Sequence, residues 1–541
     1  MVKKIGFIFL FLFGGIFIWY LISGFILSEY KPSLSNNYIW AEYHLHSNFS
    51  DGIYPPEKIA READKVGVKL LLMTDHGDPN PISSVFKKKY GDVNIVGGSE
   101  SALPEGHLNF FGAKKVPLFK LPPYPPDAIE DIREWGGFTI VTYPEDPEQG
   151  WHYWEDDLMP DGLEIINLST YFRKLSLLGK IKAYLYLPFS RYGFLKYLKR
   201  PSFALKMWDK ILKMGKVFGF YATNAHGRTP ITKKIKIPEP SYSKMFSLLA
   251  IGIDKRYEGN PEIAVRKGDF FSIIRGAGEP ELFEFYGKSS DGIVRQGEET
   301  KTRISLYVKL KAKGLKSRII LIKNGKIFKE TEKSEIFIEK ADTGIYRVEV
   351  YLKNHPLLKD NVPWIISNPI FVNYSFKKPA IKKNDFENIR KFPLSLENFH
   401  IEKNQNSKAL FKKKDDFFLF KYYLSKKTKA HPDVWCSIAL RKQIKTSDFD
   451  GFYIIANSDK YMRYWIELRN ENGNFYSSFK LYPEKENRVL IPFTKFYRIY
   501  CKRVKEKFKQ ANALFISING LNSFSNFSSS LKIKDFGFYR R

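Results

Sequence analysis

From residue 38 to about residue 225 the chain repeats one unit, a short apolar run followed by an amphipathic stretch. This alternation constrains the fold more than any other feature of the 541 residues. The apolar runs are 39–45, 69–74, 93–98, 107–112, 138–142, 162–168 and 217–223. Between the first two, residues 56–66 begin with Pro56 and stop before Gly67, the punctuation of a helix. Seven strands alternating with helices predict a parallel α/β domain of barrel form.

Residues that can ligate a metal recur where these runs end. His44-Leu45-His46 closes the first, and residues two apart on a strand face the same side, so both imidazoles can reach one ion. Asp51 follows in Ser50-Asp51-Gly52. The second run ends in Thr74-Asp75-His76 and the third in Ser99-Glu100. His107 opens the fourth, and Asn224-Ala225-His226 closes the seventh. Folds of this class place their sites at the C-terminal ends of the strands. Histidine with carboxylate suits Zn, Mn or Fe, and a carboxylate can bridge adjacent ions. A lone histidine of this kind is more often a hydrogen-bonded core residue. Six of the nine histidines fall before residue 230 in this order, which favours a metal centre.

The string His44-x-His46-x4-Ser50-Asp51-Gly52, with Thr74-Asp75-His76, Glu100, His107 and Ala225-His226, resembles the PHP (polymerase and histidinol phosphatase) superfamily. The resemblance covers nearly all of 38–280. It implies a distorted seven-stranded barrel, up to three divalent metal ions and hydrolysis of phosphate mono- or diesters, in some relatives as an exonuclease. Carried over by motif, His44, His46, Glu100 and Asn224 would hold one ion. Glu100 would bridge to a second, shared with His107 and the position of Tyr143, and Asp51, His76 and His226 would hold a third. Asp51, His76 and Glu100 are then the expected catalytic centre. Arg228, just past His226, is the candidate phosphate clamp. Glu164 and Asn167 are candidates for orienting the ligands.

Two positions depart from the family's pattern. Tyr143 stands before Pro144 where histidine is usual, and Asn224 stands where aspartate is usual. Glu145, Asp146 and His152 follow closely as candidate substitutes. A second reading therefore competes with the phosphoesterase: a catalytically impaired surface protein that binds a glycan or polymer on a degenerate barrel.

Beyond residue 278 the period changes to two. Ile304, Leu306, Val308 and Leu310 alternate with polar residues, and Asn324-Gly325 reads as a hairpin turn. Residues 281–374 read as an Ig-like β-sandwich and 375–385 as a charged linker. The β-rich remainder, 386–541, resembles a galactose-binding-like jelly roll through Gly451-Phe452-Tyr453, the run from Tyr464 to Arg469, and Ile491-Pro492-Phe493. Its aromatic residues, including Tyr461, Tyr464, Trp465 and Tyr476, are candidates for a stacking platform.

At the N-terminus, Lys3 and Lys4 precede an uncharged apolar run over 5–27. A helix of that length spans about 34 Å, enough to cross the hydrocarbon core. No short apolar core with a small-residue cleavage site is present, so an uncleaved signal anchor is expected, with its N-terminus cytoplasmic and the bulk of the chain outside the membrane. The formal charge of +30 is spread along the chain. It favours polyanionic partners, among which nucleic acid is not the preferred one. Two cysteines, Cys436 and Cys501, exclude a cysteine-rich zinc site.

Overall fold

Each of the seven apolar runs contains a strand, but the strands form two sheets with mixed pairing. A computed structural model describes residues 14–22, 31–186, 191–230, 236–237, 240–377, 385–427, 434–498, 509–519 and 527–541. In chain order the strands are β1 (Tyr38–Tyr43), β2 (Val68–Leu72), β3 (Asp75–His76), β4 (Lys87–Tyr90), β5 (Val93–Val96), β6 (Gly98–Leu103), β7 (Gly106–Phe111), β8 (Phe138–Val141), β9 (Gly162–Asn167) and β10 (Phe218–Ala222). They are followed by β11 (Ala250–Asp254) and β12 (Phe270–Ile273).

One sheet runs β4-β5-β2-β1-β11-β12, and the other runs β3-β6-β7-β8-β9-β10. The pairs β1–β2, β2–β5, β8–β9 and β9–β10 are parallel, as expected. The pairs β6–β7, β7–β8 and β1–β11 are antiparallel. The departure at β6–β7 has a local cause. Only two residues separate these strands, too few for a crossover helix, and Gly106 supplies the positive φ (128°) of the turn. A parallel bridge between Leu45 and Ala225 joins the end of β1 to the end of β10.

Burial follows the two-residue period. Ile39, Ala41 and Tyr43 of β1 pack with Leu70, Leu72, Ile140, Phe220, Ala222 and Ile253 in one core. Their alternates Trp40 and Leu71 pack outward with helix α1 (Pro56–Asp64), whose Ile59, Ala60 and Ala63 are buried at helical spacing. The interior is therefore packed, and the buried polar groups include Glu100 within β6 and Glu164 within β9.

The Ig-like region is not a separate sheet system. Its strand Pro363–Ser367 pairs antiparallel with β12, so the first of the two sheets continues across residue 280 into Gly344–Leu352 and its neighbours. A four-stranded sheet containing Leu282–Ser289 and Ile304–Lys311 completes the unit. Most of the expected linker lies outside the described residues. Among its described residues the C-terminal region has two antiparallel six-stranded sheets and a two-stranded one.

This C-terminal unit docks on helix α2 (Pro125–Glu134) of the N-terminal α/β region. Arg463 reaches Asp131 at 2.5 Å, and Lys480 bonds Asp131 and Glu134 at 2.9 and 2.7 Å. Docking changes the expected aromatic platform. Tyr464 is core, and Tyr461 donates to Glu134, which leaves Trp465 and Tyr476 as a half-buried pair with ring centroids 5.7 Å apart.

Of the N-terminal apolar run, residues 14–22 are described and helical; the rest lies outside the described residues. Among the described residues no helix is long and apolar enough to cross a membrane. Cys436 is buried, and Cys501 lies outside the described residues, so its pairing does too.

Candidate metal centre

Three strands end in residues forced into left-handed backbone: His44 after β1 (φ 65°), Tyr143 after β8 (φ 53°) and Asn224 after β10 (φ 52°). Non-glycine residues there cost on the order of 1–3 kcal/mol each and persist where surrounding structure over-determines them. All three side chains turn into one polar pocket. The strand stops at Tyr43, so His44 and His46 are not on a regular strand. The bend at His44 nevertheless brings their rings to 5.3 Å.

The pocket has an inner and an outer group of ligand atoms. The inner group is His44, His46 and Glu100, all buried. His44 Nε2 lies 3.2 Å and His46 Nε2 3.3 Å from Glu100 Oε2. The outer group is Asp51, His76 and His226, with His46 within reach. His226 Nε2 and His76 Nε2 lie 3.3 and 3.7 Å from Asp51 Oδ1. Glu100 Oε2 links the groups, standing 3.4 Å from His76 Nδ1. The ring of His46 stacks on those of His76 and His226 at 4.3 and 4.1 Å. Because Asp51 and His76 are each more than two-fifths exposed, the outer group faces solvent.

These spacings suit ions better than direct hydrogen bonds. Ligand atoms around a tetrahedral zinc, each about 2.0–2.1 Å from it, stand about 3.3 Å apart. A charge-assisted N–H···O bond is shorter, about 2.7–2.9 Å. Glu100 Oε1 and His46 Nδ1 are also buried with no hydrogen-bond partner. One imidazole nitrogen holds one ion, and the 3.1 Å approach of Asn224 Oδ1 to His46 Nε2 places His46 with the inner group.

Electrostatics readies Asp51 for a metal and opposes His44 and Tyr143. Burial works against charge on Asp51, but the hydrogen bond and charge of His226 outweigh it and hold the carboxyl well below its usual range. Burial likewise opposes a charged His44, yet Glu164 and Glu100 raise it to about 9. An arriving ion must displace that proton. Burial, with the charges of Glu100 and Glu164, pushes the Tyr143 phenol well above its ordinary value.

Other expected residues fall elsewhere. His107 joins neither group: its ring stands edge-on to Tyr143 at 5.6 Å, and its Nδ1 is buried without a partner. Asn224 enters through its amide rather than a carboxylate, donating from Nδ2 to Tyr143 Oη at 2.9 Å. Arg228 spends Nε and one terminal nitrogen on the backbone and carboxylate of Asp51 (2.6 and 2.8 Å), so it positions Asp51 and is not held ready for a phosphate. Glu145 does not substitute as a ligand, because it accepts from the amides of Phe203 and Ala204 at a helix start. Nor does Asp146, which binds Arg173 and Thr170, and His152 belongs to neither group.

One contributor escaped sequence reasoning. Buried Asp75 accepts from the amide and hydroxyl of Ser47 and from the hydroxyls of Ser50 and Ser83, at 2.7–2.9 Å. It ties down the turn that carries Asp51. The density of serines around an Asp-His pair was the available signal.

No family model matches the chain. It is 29% identical over 147 residues to an uncharacterized protein of Methanocaldococcus jannaschii, covering 24% of this chain and 81% of that one. Among solved structures it is similar to a two-domain protein of Bacteroides vulgatus containing a predicted PHP-like metal-dependent phosphoesterase. That match has 13% identity and a TM-score of 0.32, over 63% of this chain and 97% of the other. A family 11 carbohydrate-binding module of Clostridium thermocellum matches at 13% identity and a TM-score of 0.20, over 26% of this chain and 88% of that one.

Proposed function

We propose that the chain is a metal-dependent phosphoesterase acting on phosphate mono- or diesters. One observation carries this: a solvent-facing group, Asp51, His76 and His226, lies directly against a buried group, His44, His46 and Glu100, with Glu100 between them. Divalent ions, when bound, supply Lewis acidity and an acidified water at neutral pH. The chain's part is to position and to exclude. Glu164 fixes the His44 ring, Arg228 and the Asp75 turn fix Asp51, and the packed core below keeps water from the inner group. The exposed edges of Asp51 and His76 leave the substrate side open.

Location is part of the proposal. The run over 5–27 anchors the chain, with the bulk outside the membrane. The stretch between Glu164 and Asp209 contains nine Lys or Arg and no acidic residue. Leu177, Leu178 and Ile181 are exposed on its helix Leu177–Tyr186, which is the make-up of a segment lying on an anionic surface. A C-terminal alkaline-phosphatase fusion is expected to be active; activity of a cytoplasmic reporter instead reverses the orientation.

The substitutions Tyr143 and Asn224 favour the second reading, an impaired barrel whose C-terminal unit binds a glycan or polymer. Assay of the purified chain with Mn, Zn and Fe against mono- and diester substrates separates the two. Metal-dependent turnover abolished by His76→Ala supports the enzyme. Tightly held ions without turnover on any ester class support the binder.

A further inference from the structure

We propose, resting on the metal-hydrolase reading above, that the barrel holds two ions rather than three, and that the Tyr143 hydroxyl, held by Asn224, closes the shell of the inner one. The contacts form a closed set. His44 Nε2 faces Glu100 Oε2 at 3.2 Å and Tyr143 Oη at 3.3 Å. His46 Nε2 faces Glu100 Oε2 at 3.3 Å and Asn224 Oδ1 at 3.1 Å. Asn224 Nδ2 then donates to Tyr143 Oη at 2.9 Å. The contacts of the two imidazole nitrogens match the roughly 3.3 Å that separates ligands sharing a tetrahedral ion.

The two departures from the family's pattern are thereby one change. An aspartate at 224 has no hydrogen to give, whereas the Asn224 amide offers one to the tyrosine oxygen and turns its own oxygen toward His46. Tyr143 and Asn224 both hold left-handed backbone, at the ends of β8 and β10, and their side chains meet there.

The same geometry removes the middle site. The Tyr143 hydroxyl points to His44, and its ring stands edge-on against His107. A middle ion would keep Glu100 and His107 alone, fewer than the three or four protein ligands of a retained zinc. Ligation breaks the phenol O–H and the N–H of His44, both protons leave to solvent, and no other covalent bond changes.

The test is metal content of the purified full chain after transfer to metal-free buffer, with the visible spectrum of the Fe(III)-loaded protein alongside. Two ions per chain are expected, and a phenolate-to-iron charge-transfer band. Tyr143→Phe should lose one ion and the band. Asn224→Asp should weaken the inner ion while leaving the outer one. The paired change Tyr143→His with Asn224→Asp should bind a third. Three ions in the unaltered chain, no band from it, or two retained ions in Tyr143→Phe would each overturn the inference. The last of these with hydrolysis intact overturns it alone, whereas a chain that binds no ion overturns the proposed function as well. Because the first two readings use the unaltered protein, a variant that fails to fold does not remove the test.

Discussion

Glu164 Oε1 lies 2.5 Å from His44 Nδ1, and its other oxygen accepts from the Tyr143 amide and the Asn167 side chain, both at 3.0 Å. The carboxylate thus sets the His44 ring so that Nε2 faces the pocket, as carboxylate–histidine pairs do around metals. Glu164→Gln should lower affinity for the inner ion by about 10–100-fold. The outer ion should be unaffected. Competition with a chromophoric chelator measures both.

Asp75 gathers four hydrogen bonds beneath the turn that presents Asp51. Hydrogen bonds to charged groups contribute about 1.5–3 kcal/mol each, and removing one partner strands the others. Asp75→Ala should therefore cost about 3 kcal/mol or more and release the outer ion. Urea unfolding and metal content check the two parts separately.

Arg463 and Asp131 are both buried where the C-terminal unit meets α2. Removing one partner of such a pair typically costs about 3–5 kcal/mol, because it leaves an uncompensated charge, whereas replacing both can be neutral. Lys480 also holds Asp131, at 2.9 Å, so Arg463→Met should loosen the docked arrangement by less than this, and Asp131→Leu, which strands both cations, should loosen it more. Small-angle scattering and thermal melts report the outcome.

Glu349 predicts how the second unit responds to acid. Burial raises its carboxyl, but Arg347 and Arg200 outweigh that and hold it below its ordinary 4.5. A depressed carboxyl stabilises the fold fully above its unfolded value, and that contribution is lost as pH falls through the folded one. Melting temperature should therefore drop below about pH 4.5 as the Arg347 and Arg200 pairs lose their charge partner. Glu349→Gln should lower stability at pH 7 and flatten that dependence.

His107 stands apart from both ligand groups. His107→Ala should leave the number of bound ions unchanged, as measured by elemental analysis of the purified chain. Loss of an ion would restore a middle site.

The seven strands and the ligand-type residues near them were legible because both depend on local pattern. A short apolar run marks a strand such as β1, buried on both faces, and a histidine at its end is visible without knowing what lies beside it. Pairing direction was not legible. Whether β6 and β7 run antiparallel depends on a two-residue turn, and whether the first sheet continues through β12 depends on a strand 90 residues further on. The fate of Tyr143 and Asn224 was hidden for the same reason. Sequence marks each as a departure, but their positions are 81 apart, and only the closing of β8 and β10 around one pocket puts the amide on the hydroxyl. Asp75 and Arg463 follow suit, since a buried charge is identified by partners that distant segments bring to it, whereas Glu164 was already marked by its strand. Residue type and spacing determined the chemistry this chain can offer, and long-range packing decided which groups meet.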